Sequence, residues 1–134
     1  MIHLDTSFLV DLLREADRGV QGPANRLFDQ IEKRAVRVSL HVVCELLAGA
    51  ERARNPQQEQ SRIREVLAST RIVYPDLRFA QRYAALLAQL EARGQRIGVM
   101  DLLIATAALE DAAPLVTRNL HEFQRVPSLE VLSY

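Results

Sequence analysis

Cysteine, glycine, proline and lysine are all scarce in this chain of 134 residues, and each shortage excludes something. The one cysteine, Cys44, cannot form an internal disulfide, which excludes a secreted disulfide scaffold and fits a reducing compartment. Five glycines and five prolines leave no room for a collagenous or low-complexity chain. Residues Met1 to Ser7 lack the basic and apolar regions of a secretory signal. The longest apolar stretch, Leu102 to Leu109, contains Thr106 and falls far short of the roughly 20 residues of a membrane span. These absences predict a soluble, cytoplasmic single domain over residues 1–134. An excess of one charge is missing too: 17 basic and 17 acidic side chains cancel. Net charge therefore gives no argument for a nucleic-acid partner. Lys33 is the only lysine. Arginine supplies the rest, and its planar fork suits phosphate as well as ordinary surface ion pairs.

What is present is an alternation of strands and helices. Ile2-His3-Leu4 reads as a strand, followed by a helical pattern at Phe8, Leu9, Leu12 and Leu13. Gly22-Pro23 marks a loop, and Ala24, Leu27, Phe28 and Ile31 recur at helical spacing. Val36 to Ser39, Arg71 to Tyr74, Leu115 to Thr117 and Val131 to Ser133 are further strands. Helices are expected over 40–53, 57–69, 77–92 and 101–112. The order predicts an α/β sandwich with a mainly parallel central sheet, whose ligands sit at the carboxyl ends of strands.

Three acids and an amide occupy such positions. Asp5 follows the first strand, and it heads Asp5-Thr6-Ser7, three preferred helix caps in a row. Glu45 lies on a helix apolar almost all round, where Leu40, Val43, Leu47 and Ala50 form the expected core face. The remaining polar strip is His41, Glu45, Gly49 and Arg52, so Glu45 faces a cleft or pairs with Arg52. Asp101 opens its helix after the apolar Gly98-Val99-Met100. Asn119 stands just beyond the fourth strand, where an ordinary turn residue also belongs. Carboxylates converging in a cleft repel unless a cation lies between them. An all-oxygen set suits Mg²⁺ or Mn²⁺ and not zinc. Water on such an ion attacks phosphorus, so the set points to phosphodiester hydrolysis.

These residues resemble a known family. Leu4-Asp5-Thr6-Ser7, Val38-Ser39 leading into Glu45-Leu46-Leu47-Ala48-Gly49, Ile97 to Ala105 around Asp101, and Leu115-Val116-Thr117-Arg118-Asn119 through Phe123 occur in the order found in PIN-domain ribonucleases of the VapC toxin type. The resemblance implies a PIN-like three-layer α/β/α sandwich and Mg²⁺- or Mn²⁺-dependent endonucleolytic cleavage of RNA. It also implies a homodimer and inhibition by a VapB-like antitoxin. By position, Asp5, Glu45 and Asp101 match the metal-holding acids, and Thr6 matches the hydroxyl residue that supports the first of them, Asp5. Thr117 is a further supporting residue, and Asn119 is a neutral further ligand where many relatives carry an acid.

Other readings keep the fold: a housekeeping PIN nuclease of RNA processing, or a catalytically silent binding domain. A dehalogenase-type phosphatase needs an acid where Ser7 stands, and a receiver domain needs a lysine at a late strand end. Arg14, Arg18, Arg93, Arg96 and Arg118 fall near element ends and are candidates for phosphate contacts. Cys44 is expected as a core thiol, Tyr74 and Tyr83 as packing residues, and His3, His41 and His121 as structural or solvated.

Overall fold

The computed structural model describes residues 1–134. Five strands, β1 (Ile2–Leu4), β2 (Val36–Ser39), β3 (Arg71–Val73), β4 (Leu115–Val116) and β5 (Val131–Leu132), form one sheet ordered β3-β2-β1-β4-β5. Every pairing in it is parallel. Parallel neighbours need crossover connections, and helices supply them. These are α1 (Thr6–Asp17), α2 (Pro23–Ile31), α3 (Leu40–Glu51), α4 (Pro56–Leu67), α5 (Leu77–Ala92), α6 (Val99–Glu110) and α7 (Leu120–Phe123). The result is the expected three-layer α/β/α sandwich.

The first strand is the central one, so all three of its residues are buried, as parallel strands covered on both faces require. His3 is among them. Its Nε2 lies 2.6 Å from Asp111 Oδ2, which Arg37 also approaches at 3.1 Å. Burial drives the His3 pKa down against the pull of Asp111. The role is structural, as expected. Around the sheet, Phe8 and Leu9 of α1, Leu90 of α5 and Leu102, Ile104, Ala105 and Ala108 of α6 are fully buried. The small alanines let α6 pack closely between α5 and α3.

One cap comes from a neighbouring helix. Gly22 precedes α2 and has no side chain to offer its first amides. Glu15 of α1 takes them instead, accepting from the N–H groups of Ala24 at 3.0 Å and Asn25 at 2.9 Å. A Cβ on residue 22 would meet the Glu15 carboxyl at 2.4 Å, so glycine keeps this approach open. Burial opposes the Glu15 charge, but the donors outweigh it and hold its pKa below the usual carboxylate range. Glu15→Ala is expected to cost about 1 kcal/mol, the worth of a lost cap. The loss should shrink as pH falls through the carboxylate range, because the wild type loses the same charge. Urea melts of both proteins at pH 7 and pH 3.5 check this; an equal gap at both values would contradict the charge argument.

Four expectations need correction. Helix α3 is not buried all round: Val42, Val43, Leu46 and Ala50 face the core, while Leu47 is 40% exposed. Its apolar residues point in every direction, so the pattern could not say which side α1, α4 and α6 would cover. Cys44 lies on the open side and is exposed rather than a core thiol. Helix α6 starts two residues early, at Val99, because Gly98 is its cap. Asp101 is thus in the first turn, and its flank is open, with Val99 56% exposed. Finally, Tyr83 packs against the core as expected, but Tyr74 is 69% exposed.

Candidate active site

The sheet delivers the first acid. Strand β1 ends at Leu4, and the next N–H, that of Asp5, still bonds to Val116 O at 2.9 Å. This last ladder bond holds Asp5 beside Thr117 at the carboxyl edge. Asp5 is 2% exposed and stands at the cap position of α1, yet its side chain caps nothing. Instead its Oδ2 accepts the hydroxyl protons of Thr117 at 2.6 Å and Ser7 at 2.7 Å. Backbone amides fill the other side of those hydroxyls: Arg118 N–H donates to Ser7 Oγ and Asn119 N–H to Thr117 Oγ1, both at 3.0 Å. The carboxylate is therefore oriented by a fixed network that leaves Oδ1 without a protein donor.

Glu45, half-buried on α3, is oriented by one bond, from the Thr6 hydroxyl to its Oε1 at 2.6 Å. Thr6 thus supports Glu45 and not the first aspartate. Arg52 is not its partner. Asp101 has the opposite character, since no hydrogen bond relieves it. Its pKa is pushed up to about 6, first by burial and then by the charges of Asp5, Glu45 and Glu122. Four carboxylates share one electrostatic field, and none of the four is in an ion pair.

Glu122 is the residue that sequence reasoning missed. It sits on the four-residue α7, with Asn119 as the cap position and the buried Phe123 as anchor. Asn followed three residues later by Glu is also the spacing of a capping box, but no side-chain cap bond forms here. Glu122 is left to act on Asp101 instead. Asn119 itself is exposed.

The arginines divide. Arg118 pairs with Asp11 at 2.8 Å, and Asp11 also accepts the Tyr134 hydroxyl at 2.5 Å. Arg14 lines a groove beside Glu45. Arg18 ends α1 and is exposed. Arg93 and Arg96 are exposed, without carboxylate partners, near the end of α5.

All-oxygen donors, an aspartate with its proton affinity raised by its neighbours and the absence of any ion pair fit a hard divalent cation. No three acidic, histidine or cysteine side chains close into a ready-made cage.

A parallel sheet with acids at its carboxyl edge is the architecture of the PIN domain, and the PIN domain family matches this chain over residues 2–129. The chain belongs to that family. Within it, the chain groups with the VapC proteins. It is 35% identical to ribonuclease VapC2 of Rickettsia felis over 94 residues, 70% of each chain. It is 28% identical to ribonuclease VapC1 of Haemophilus influenzae over 127 residues, 95% of this chain and 92% of that one. The crystal structure of VapBC2 from Rickettsia felis, bound to a promoter DNA fragment, superposes with a TM-score of 0.89. That likeness covers 100% of this chain and 99% of that one at 29% identity.

Proposed function

We propose that this protein is a Mg²⁺- or Mn²⁺-dependent endoribonuclease, the toxin of a VapBC-type pair. The observation that carries the reading is the cluster of carboxylates around Asp101 that lacks any cationic side chain. Asp5, Glu45 and Asp101 would hold the ion, with Glu122 adding charge from α7. A bound divalent ion supplies an acidified water and neutralises the phosphate at which it attacks. The chain's own part is orientation: Ser7 and Thr117 fix Asp5, and Thr6 fixes Glu45. Ground-state repulsion among the acids favours whatever cation enters.

The decisive test is cleavage of a mixed RNA substrate in Mg²⁺, Mn²⁺ or EDTA, with Asp5→Asn as control. Cleavage should require the ion and fall about a thousandfold in the control, several kcal/mol of lost metal-assisted stabilisation. Metal-independent cleavage that survives the substitution would overturn the reading. Housekeeping RNA processing and silent binding are the other outcomes.

The same acids suggest how a VapB-like antitoxin would inhibit. A groove with Val10, Leu13, Leu46 and Ile63 in its lining, and Arg14, Asp17 and Glu59 as its other charged residues, opens on Glu45. A peptide lying there would bring an arginine to Asp5, Glu45 and Asp101, replacing the ion's charge by paired hydrogen bonds. Glu45→Ala should then weaken antitoxin binding in low salt; undiminished affinity would contradict it. A homodimer belongs to the same proposal.

A further inference from the structure

Basic and acidic residues balance over the whole chain, but not within its clefts. Four of the surface clefts carry at least one carboxylate. The fifth, about 810 Å³ and open to solvent, carries none. It lies between the end of α5 and the chain following α7, lined by Arg93, Gln95, His121, Gln124, Arg125 and Ser128 among others. Arg125 is held in place without being neutralised: it donates to Arg96 O at 3.0 Å and to His121 Nε2 at 3.3 Å. Neither Arg93 nor Arg125 is in an ion pair, whereas Arg37, Arg62, Arg82 and Arg118 all are.

We propose that this cleft binds the phosphodiester backbone of the RNA strand beyond the scissile phosphate. The inference rests on the ribonuclease reading above. Its chemistry is that of an anion site: two guanidinium groups without carboxylate partners, amide and hydroxyl side chains, and no acid to compete. Its openness suits a strand that passes through rather than a small molecule that must be enclosed. Its position places it next to the site in the fold, because His121 lines the cleft from α7, the short helix that directly follows Thr117 and Asn119 at the carboxyl edge of the sheet. A strand with one phosphate at the carboxylates continues across α7 into the cleft. Single-strand binding of this kind tracks the backbone through basic grooves and carries no sequence preference.

The test uses the full chain and a short fluorescein-labelled 2′-O-methyl oligoribonucleotide of mixed sequence, which binds without being cleaved. Anisotropy titrations in EDTA at several salt concentrations compare the wild type, Arg93→Ala/Arg125→Ala, Arg93→Lys/Arg125→Lys and an Arg34→Ala control. The double alanine variant should bind about tenfold more weakly at low salt. Its log–log salt slope should fall by about 1.4, two phosphate contacts at roughly 0.7 each. The lysine variant should recover most of that slope, and Arg34→Ala should match the wild type. Cleavage by the same proteins in Mg²⁺ should show the loss in KM with kcat retained. An unchanged affinity and slope in the double variant would overturn the cleft while leaving the nuclease intact. Binding lost for a duplex DNA of the same sequence, but not for RNA, would also overturn it. A wild type that binds the oligoribonucleotide through the cleft but cleaves nothing would instead remove the nuclease reading.

Discussion

Asp101→Asn should make the metal-free protein more stable and the enzyme nearly inactive. Both effects come from one feature, a carboxylate held among three others with no hydrogen bond to relieve it. In the folded protein its pKa is about 6, against 3.8 for an ordinary aspartate. Between those values the folded state keeps a proton that the unfolded chain has released. Its stabilising contribution is thus full below about pH 4 and lost as pH rises through 6. Above 6 the folded protein carries an unrelieved charge. At about 1.4 kcal/mol per pK unit the shift is worth about 3 kcal/mol. Solvent screening at this half-exposed group reduces that to about 1–2 kcal/mol. Asparagine removes the charge, so in EDTA at pH 7.5 the melting temperature should rise by roughly 3–8 °C. The gain should shrink at pH 5. Added Mg²⁺ should stabilise the wild type more than the variant, because a ligand raises stability only where it binds the folded state. RNA cleavage should drop about a thousandfold. A lower melting temperature in EDTA would show that Asp101 is tethered rather than repelled.

The largest loss of stability is expected from Phe123→Ala. Phe123 has no exposed surface and joins Val126 in the main core cluster. Helix α7 spans only four residues, too few for its own hydrogen bonds to hold it, and this ring is its anchor. Truncation leaves a cavity, with a typical cost of about 3–5 kcal/mol. That corresponds to a fall of roughly 10–25 °C in melting temperature. The effect should also reach the site. Once α7 is loose, Glu122 no longer faces Asp101, and the Asp101 carboxyl should titrate below 6. Carbon-13 NMR titration of Asp101 measures this directly. Phe123→Leu should restore most of the stability and the titration together. Separate recovery of the two would mean that Glu122 is positioned by something other than the ring.

Much of this site was legible because strand ends are legible. Asp5 and Thr117 follow β-branched or apolar runs, and the alternation of strands and helices places both at one edge of a parallel sheet. The supporting bonds were not legible to the same degree. Ser7 and Thr117 meet on Asp5 although 110 positions separate them in sequence. Thr6 was expected to support Asp5, but its side chain leaves the helix start toward Glu45. For α3 the difficulty is the opposite of a missing signal: its apolar residues surround the helix and leave no period to orient it. Cys44 was misplaced for that reason. Helix α7 is shorter than any window in which periodicity shows, and Glu122 went with it.

The order of the strands bears on synthesis. The central strand β1 is made long before its neighbour β4, which begins at Leu115. Asp5 therefore waits for the Thr117 hydroxyl, 112 positions further on, and Asp101 and Glu122 also follow it by most of that interval. At about 5–20 residues per second, a nascent chain spends seconds with a first acid and no assembled site. The carboxylate site can therefore assemble only after α6, β4 and α7 have all emerged.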